Sequence, residues 1–83
     1  MNYPSYLVKV KEPNGAEEKE FNVTFECSLK DLELGVDVDM FFESGMSKWT
    51  VKGKVENKGS WSVSIKFKDP LHDSECIRVF DFQ

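Results

Sequence analysis

Three side chains in this sequence could carry nucleophilic or proton-transfer chemistry: Cys27, Cys76 and His72. A thiol–imidazole pair needs hydrogen-bond contact and a third group to orient the base. Cys27 falls on an apolar parity, where a cysteine acts as a small hydrophobe. His72 stands in the acidic stretch His72-Asp73-Ser74-Glu75, which reads as a solvated loop. No catalysis is expected. Asp37-Val38-Asp39 and Glu43 could offer oxygen ligands to a divalent cation. An EF-hand, however, needs a glycine at its sixth position and a glutamate at its twelfth, and the stretch has neither spacing. On a strand, Asp37 and Asp39 share one side and face Lys52 and Lys54, so the expected reading is an ion-paired, solvated face. There is no glycine-rich phosphate loop and no paired-cysteine zinc spacing. No cofactor and no metal are expected.

Trp49 and Trp61 could stack bases or sugars, but their parity with Val51, Val63 and Ile65 marks both as core. The aromatic that breaks the pattern is Phe41, which shares the outward parity of Asp37 and Asp39. An aromatic flanked by carboxylates suits a basic partner, because charge guides encounter and the ring contributes contact energy.

The elements that would position these residues are strands. Val36, Val38, Met40 and Phe42 alternate with Asp37, Asp39, Phe41 and Glu43, and a four-residue loop Ser44-Gly45-Met46-Ser47 leads into Lys48–Val55. That loop pairs Phe42 with Trp49, Met40 with Val51, Val38 with Gly53 and Val36 with Val55. On the other face it pairs Glu43 with Lys48, Asp39 with Lys52 and Asp37 with Lys54. Apolar pairing and charge pairing select the same register independently. For the next hairpin, Glu56-Asn57-Lys58-Gly59-Ser60 reads as a three-residue loop with Gly59 left-handed. Val55 then faces Trp61, Gly53 faces Val63, Val51 faces Ile65 and Trp49 faces Phe67.

Toward the N-terminus, residues 5–12 and Phe21–Cys27 alternate as two strands. Pairing Val10 with Phe21 and Val8 with Val23 also sets Lys11 beside Glu20 and Glu12 beside Lys19, each charge pair worth at most ~1 kcal/mol. Ser28–Asp31 reads as a turn or single helical turn, followed by a strand over 32–43. A direct hairpin between the second and third strands opposes Glu26 with Glu33 and Glu20 with Asp39. Those strands are therefore expected in different sheets or offset. The last strand, Cys76–Phe82, is apolar on both faces, with Ile77 and Val79 on one side. Such a strand is usually covered on both sides, by its own domain or by a partner.

The chain has 83 residues and a formal charge of −4. It is expected to form one β-rich domain over 1–83: an all-β, six-stranded antiparallel meander closed into a small sandwich or barrel. An α+β fold with a short helix near 28–34 is the alternative. The acidic balance argues against general nucleic-acid or anionic-membrane binding. No apolar run approaches a membrane span, and Met1-Asn2-Tyr3-Pro4-Ser5 does not read as a secretory signal, so a cytoplasmic location is expected. The function expected is a non-enzymatic protein-binding module of the inhibitor or immunity type, a class that includes phage-encoded counter-defence inhibitors. Its partner would be a heterologous protein with a basic surface, met through Phe41, Asp37, Asp39, Glu33 and Glu20. A small-molecule carrier built on a β-barrel and a self-assembling β protein are the alternatives.

Overall fold

A computed structural model describes residues 5–12, 15 and 17–82. Six antiparallel strands form one sheet in the order of the chain: β1 (Tyr6–Lys11), β2 (Glu18–Phe25), β3 (Asp37–Ser44), β4 (Ser47–Lys58), β5 (Ser62–Lys68) and β6 (Glu75–Asp81). The sheet curls on itself into a nearly closed barrel. Residues of one parity on every strand point inward, which follows from the two-residue period of a strand. Val8 and Val10, Phe21, Val23 and Phe25, Val38, Met40 and Phe42, Val55, Val63, Ile65 and Phe67, and Phe80 are all buried in one cluster. The helical element is a single 3-10 turn, Leu29–Asp31. Leu29 and Leu32 plug that end of the barrel.

The β3–β4 hairpin has the expected register at every pair, from Asp37 opposite Lys54 to Ser44 opposite Ser47. Backbone hydrogen bonds of 2.9 Å, from Gly35 N–H to the Val55 carbonyl and from Val55 N–H to the Val36 carbonyl, extend the pairing to Val36. Its tip is Gly45-Met46. Gly45 has φ +59°, as a turn with glycine at its first central position requires.

Three expectations of strand pairing and extent are corrected, and the offset of β2 and β3 is one of the two arrangements expected. In β4–β5, Val55 faces Ile65 and Lys58 faces Val63, with a bulge between Val55 and Asn57. The pairing is displaced four residues from the expected one. Gly59 is absent from the positive-φ glycines, and its N–H donates to the Ser62 carbonyl at 2.8 Å, so the tip is Ser60-Trp61. Trp61 is consequently 67% exposed, not core. Leu29 and Leu32 already fill the barrel end it would have entered.

In β1–β2, Val8 faces Phe21 and Lys9 faces Glu20, a two-residue slip from the expected pairing. The slip preserves parity and still sets lysines against glutamates, so neither signal rejects it. β3 begins at Asp37, not near residue 32. Gly35, at φ +87°, turns the chain out of the sheet, leaving Leu34 and Val36 exposed. β2 and β3 are direct neighbours in the one sheet, offset so that Val23 faces Phe42 and Thr24 faces Phe41. The offset removes the like-charge oppositions of a direct hairpin.

Two lysines close the barrel ends. The Lys19 ammonium lies 5.6 Å from the Trp49 ring centre, within cation–π range. At the far end, Lys58 Nζ donates to the Lys30 carbonyl at 2.7 Å and to the Leu32 carbonyl, and rests over Phe82.

Candidate functional site

The outward parity of β3 carries Asp37, Asp39, Phe41 and Glu43. Phe41 is 40% exposed, between Thr24 of β2 and Thr50 of β4. The two threonines stand lower than the ring and leave its outer surface open. No second sheet covers this face among the described residues.

Asp39 is held on both sides. Its carboxylate meets Lys52 Nζ at 2.9 Å, and its backbone N–H donates to Glu26 Oε1 at 3.0 Å. The hydrogen bond to Asp39, and then its charge, raise the pKa of Lys52. Asp37 stands opposite Lys54. Of the acidic residues proposed from sequence, the structure therefore gathers Asp37 and Asp39 beside Phe41. Glu33 sits on the exposed segment between the 3-10 turn and β3, off the sheet. Glu20 faces β1, where its carboxylate lies 3.7 Å from Lys9. It lies beyond the last β2–β3 pair, Asn22 with Glu43, so it does not join the Phe41 surface. Glu26 and Glu43 take its place. What brings Glu26 here is the β2–β3 offset, which the chain's charges require but do not specify.

The outer faces of the middle strands differ in charge. Glu18, Glu20, Asp37, Asp39 and Glu43 line β2 and β3, with Glu26 just past β2, while Lys48, Lys52, Lys54, Lys66 and Lys68 line β4 and β5 beside the single acid Glu56. Lys54 and Lys66 are direct cross-strand partners, an unfavourable pairing that Asp37 and Glu56 offset from either side.

The residues with nucleophilic potential are not assembled for it. His72 Nδ1 lies 3.1 Å from Asp69 Oδ1, and the same oxygen accepts the backbone N–H groups of Leu71 and His72. His72 thus helps staple the 69–74 loop instead of standing free in solvent. Asp69 is buried, and its three hydrogen bonds account for its place there. Cys27 and Cys76 are free thiols, each only partly buried against the core, so Cys27 is less enclosed than its parity implied. Burial raises the pKa of both thiols, and the charges of Glu26 and Asp31 raise that of Cys27 further. A raised pKa reduces the thiolate fraction, the reactive form.

Two surface clefts adjoin these elements. One, of about 260 Å³, lies between β1 and β6. The other, of about 510 Å³, is shallow and lies where the first residues of β4 overhang the 69–73 loop. It exists because the displaced β4–β5 register leaves that part of β4 without β5 beside it. Among the described residues, no helix is long and apolar enough to cross a membrane. No protein-family profile matches the chain, and no curated protein or solved structure matches it.

Proposed function

We propose that this chain is a non-enzymatic protein-binding module of the inhibitor type, which meets a basic surface on a heterologous protein through the outer face of β2 and β3. The observation that carries the reading is Phe41. It is an aromatic side chain at mid-strand on the solvent side of a sheet, open above two threonines, with Asp39 and Glu43 its same-face neighbours on β3, Glu26 beside Asp39 and Asp37 further along the strand. Rings in such settings contribute disproportionately to binding when a partner desolvates them. The carboxylates suit a partner rich in lysine and arginine, while the lysines of β4 and β5 repel it and so set its orientation. An acidic surface of this kind fits a partner whose basic face otherwise holds a polyanion.

The test is affinity capture from the native host with three baits: wild type, Phe41→Ala and Asp39→Lys. A basic protein should be retained by wild type. Phe41→Ala should weaken its binding by more than about 1 kcal/mol with the fold intact. Asp39→Lys should slow association, most at low salt, where screening is weakest. Equal retention by all three baits overturns the assignment of this surface.

A further inference from the structure

Among the described residues the barrel is not closed: β1 and β6 end the sheet and do not pair. The backbone directions at both banks follow from the ladders. Phe82 N–H donates to the Trp61 carbonyl at 2.8 Å, so Phe80, Arg78 and Cys76 also turn their backbones toward β5. By alternation, Glu75, Ile77, Val79 and Asp81 turn theirs toward the gap. Glu12 N–H donates to the Glu17 carbonyl at 2.9 Å, which by the same alternation leaves Leu7, Lys9 and Lys11 facing the gap from β1. Among the described residues, the one link across the gap that involves these backbones is made by a side chain: Arg78 Nη2 donates to the Lys9 carbonyl at 3.0 Å. A guanidinium stands where strand hydrogen bonds would run. The floor is closed by Tyr6 and Phe80, whose ring centres are 5.4 Å apart. The gap is therefore a groove and not an entrance to the core.

The rim of this groove mixes exposed apolar side chains with the charged Lys9, Arg78 and Asp81. Leu7, Ile77 and Val79 are 59%, 55% and 63% exposed. Natural edge strands are usually blunted by lysine, proline or a covering segment. The β6 edge carries Ile77 and Val79 in its middle and acids, Glu75 and Asp81, at its ends.

We propose that the free edge of β6 is a strand-addition site for an extended peptide segment of another protein, one with two apolar residues at alternate positions flanked by basic residues. Added antiparallel to β6, such a segment sets its basic residues against Glu75 and Asp81 and its apolar residues against Ile77 and Val79. Its backbone takes up the exposed N–H and C=O groups, which supply affinity, while the side-chain pattern supplies specificity. Arg78 swings away from Lys9 as the segment enters. A second copy of this chain fits less well. Pairing β6 with another β6 so that Ile77 meets Val79 places Glu75 against Asp81, carboxylate on carboxylate. Another copy's β1 arrives with its own sheet attached, and that sheet must pass the near bank formed by β1. The site lies apart from the Phe41 surface and does not depend on it.

The probe is a blocked peptide, Lys-Ala-Val-Ala-Val-Ala-Lys, titrated into isotopically labelled protein and followed by backbone amide shifts. Saturable shifts are expected at Ile77, Val79, Asp81 and Leu7. A peptide with glutamate in place of both lysines should bind about tenfold more weakly or worse, since it sets like charges in opposition. Val79→Lys, or Ile77→Lys should that variant not fold, should weaken binding similarly. Arg78→Ala should strengthen it, because a latch and a repelling charge are both removed. Phe41→Ala should bind the peptide like wild type, so failure at one surface leaves the other standing. The proposal is overturned by an absence of saturable shifts on β6, by equal affinity for the lysine and glutamate peptides, or by wild-type binding in both lysine variants. It is also overturned if the same amides shift with protein concentration alone, which would assign the edge to a second copy.

Discussion

The two hairpins that share β4 were built from the same kinds of residue and yet differ in how far their register can be derived. In β3–β4, apolar residues face apolar residues inside and acids face lysines outside. A shift of two residues would keep the inner pairing but oppose Asp39 with Lys54 or Thr50, and would break the sequence of charge pairs. In β4–β5 the paired outer residues are basic or neutral, Lys54 and Lys66 with Ser62 and Ser64, and the one acid, Glu56, is the bulged residue outside the regular pairs. Every even shift leaves the inner alternation intact, and the outer face has no opinion. The lesson is that parity is set by hydrophobicity, but register within a parity needs a second, independent pattern on the other face.

What decides β4–β5 is tertiary. Leu29 and Leu32 occupy one barrel end, the bulge at Glu56 bends β4, and Lys58 ties that end to the Lys30 and Leu32 carbonyls. The two tryptophans give the sharpest test of this contrast and the largest expected effect. Trp49 packs edge-to-face on Phe21, with ring centres 5.3 Å apart, and faces Phe42. Trp49→Ala should cost about 3 kcal/mol in denaturant unfolding, at the low end for a large aromatic because the side chain is only half-buried. Trp61→Ala, at the exposed tip, should fall within about 0.5 kcal/mol of wild type. Equal losses would restore Trp61 to the core and the register to the one expected from the alternation alone.

The same distinction explains what was legible elsewhere. The all-β meander, the inward parity of every strand and the outward place of Phe41 follow from period-two alternation. The slip in β1–β2 escaped because Lys9 and Lys11 find glutamates in either register. The start of β3 escaped because Leu32 and Leu34 continue the alternation while Gly35 turns the chain. At the candidate site, Asp37, Asp39 and Phe41 were legible from one strand's parity. The place of Glu26 beside Asp39 was not, since it depends on an offset between strands that no local pattern encodes. The open edge of β6 was half-legible: apolar residues on both faces signalled a cover, and the barrel's own strands do not provide one on the side of Ile77 and Val79.

Gly53 lets the register of both hairpins be probed at one position. A methyl group there would lie 2.6 Å from Ile65 Cγ2 and 2.8 Å from Met40 Sδ. Met40 belongs to β3 and is flexible. Ile65 belongs to β5, and its Cγ2 sits on a branched, fully buried side chain. Gly53→Ala should therefore cost about 2 kcal/mol by overpacking. Combining it with Ile65→Val tests the cause: Cγ2 survives that change, so the penalty should largely persist. Ile65→Ala, which removes Cγ2, should make the Gly53→Ala step much less costly. If Ile65→Ala leaves the Gly53→Ala penalty unchanged, β5 does not lie against Gly53 in the register described.

The smallest effect separates the two tips. Gly45 has φ +59°, in the left-handed region, and a Cβ there meets nothing within 4 Å. Its requirement is conformational alone, so Gly45→Ala should cost about 1 kcal/mol, the strain of a side chain at positive φ. Gly59 has no such φ, and a Cβ placed on it comes no closer than 3.4 Å to Ser62 Oγ, an ordinary contact. Gly59→Ala should be neutral or slightly stabilising, by up to about 0.5 kcal/mol, because alanine restricts the unfolded chain more than glycine does. The two substitutions are chemically identical and both sit at hairpin turns, so differences in unfolded-state entropy cancel between them. The difference in their unfolding free energies then reports backbone geometry alone. A loss at Gly59 equal to that at Gly45 would mean a left-handed glycine at the second tip. That would return the β4–β5 turn to the three-residue loop that Glu56-Asn57-Lys58-Gly59-Ser60 suggests on composition.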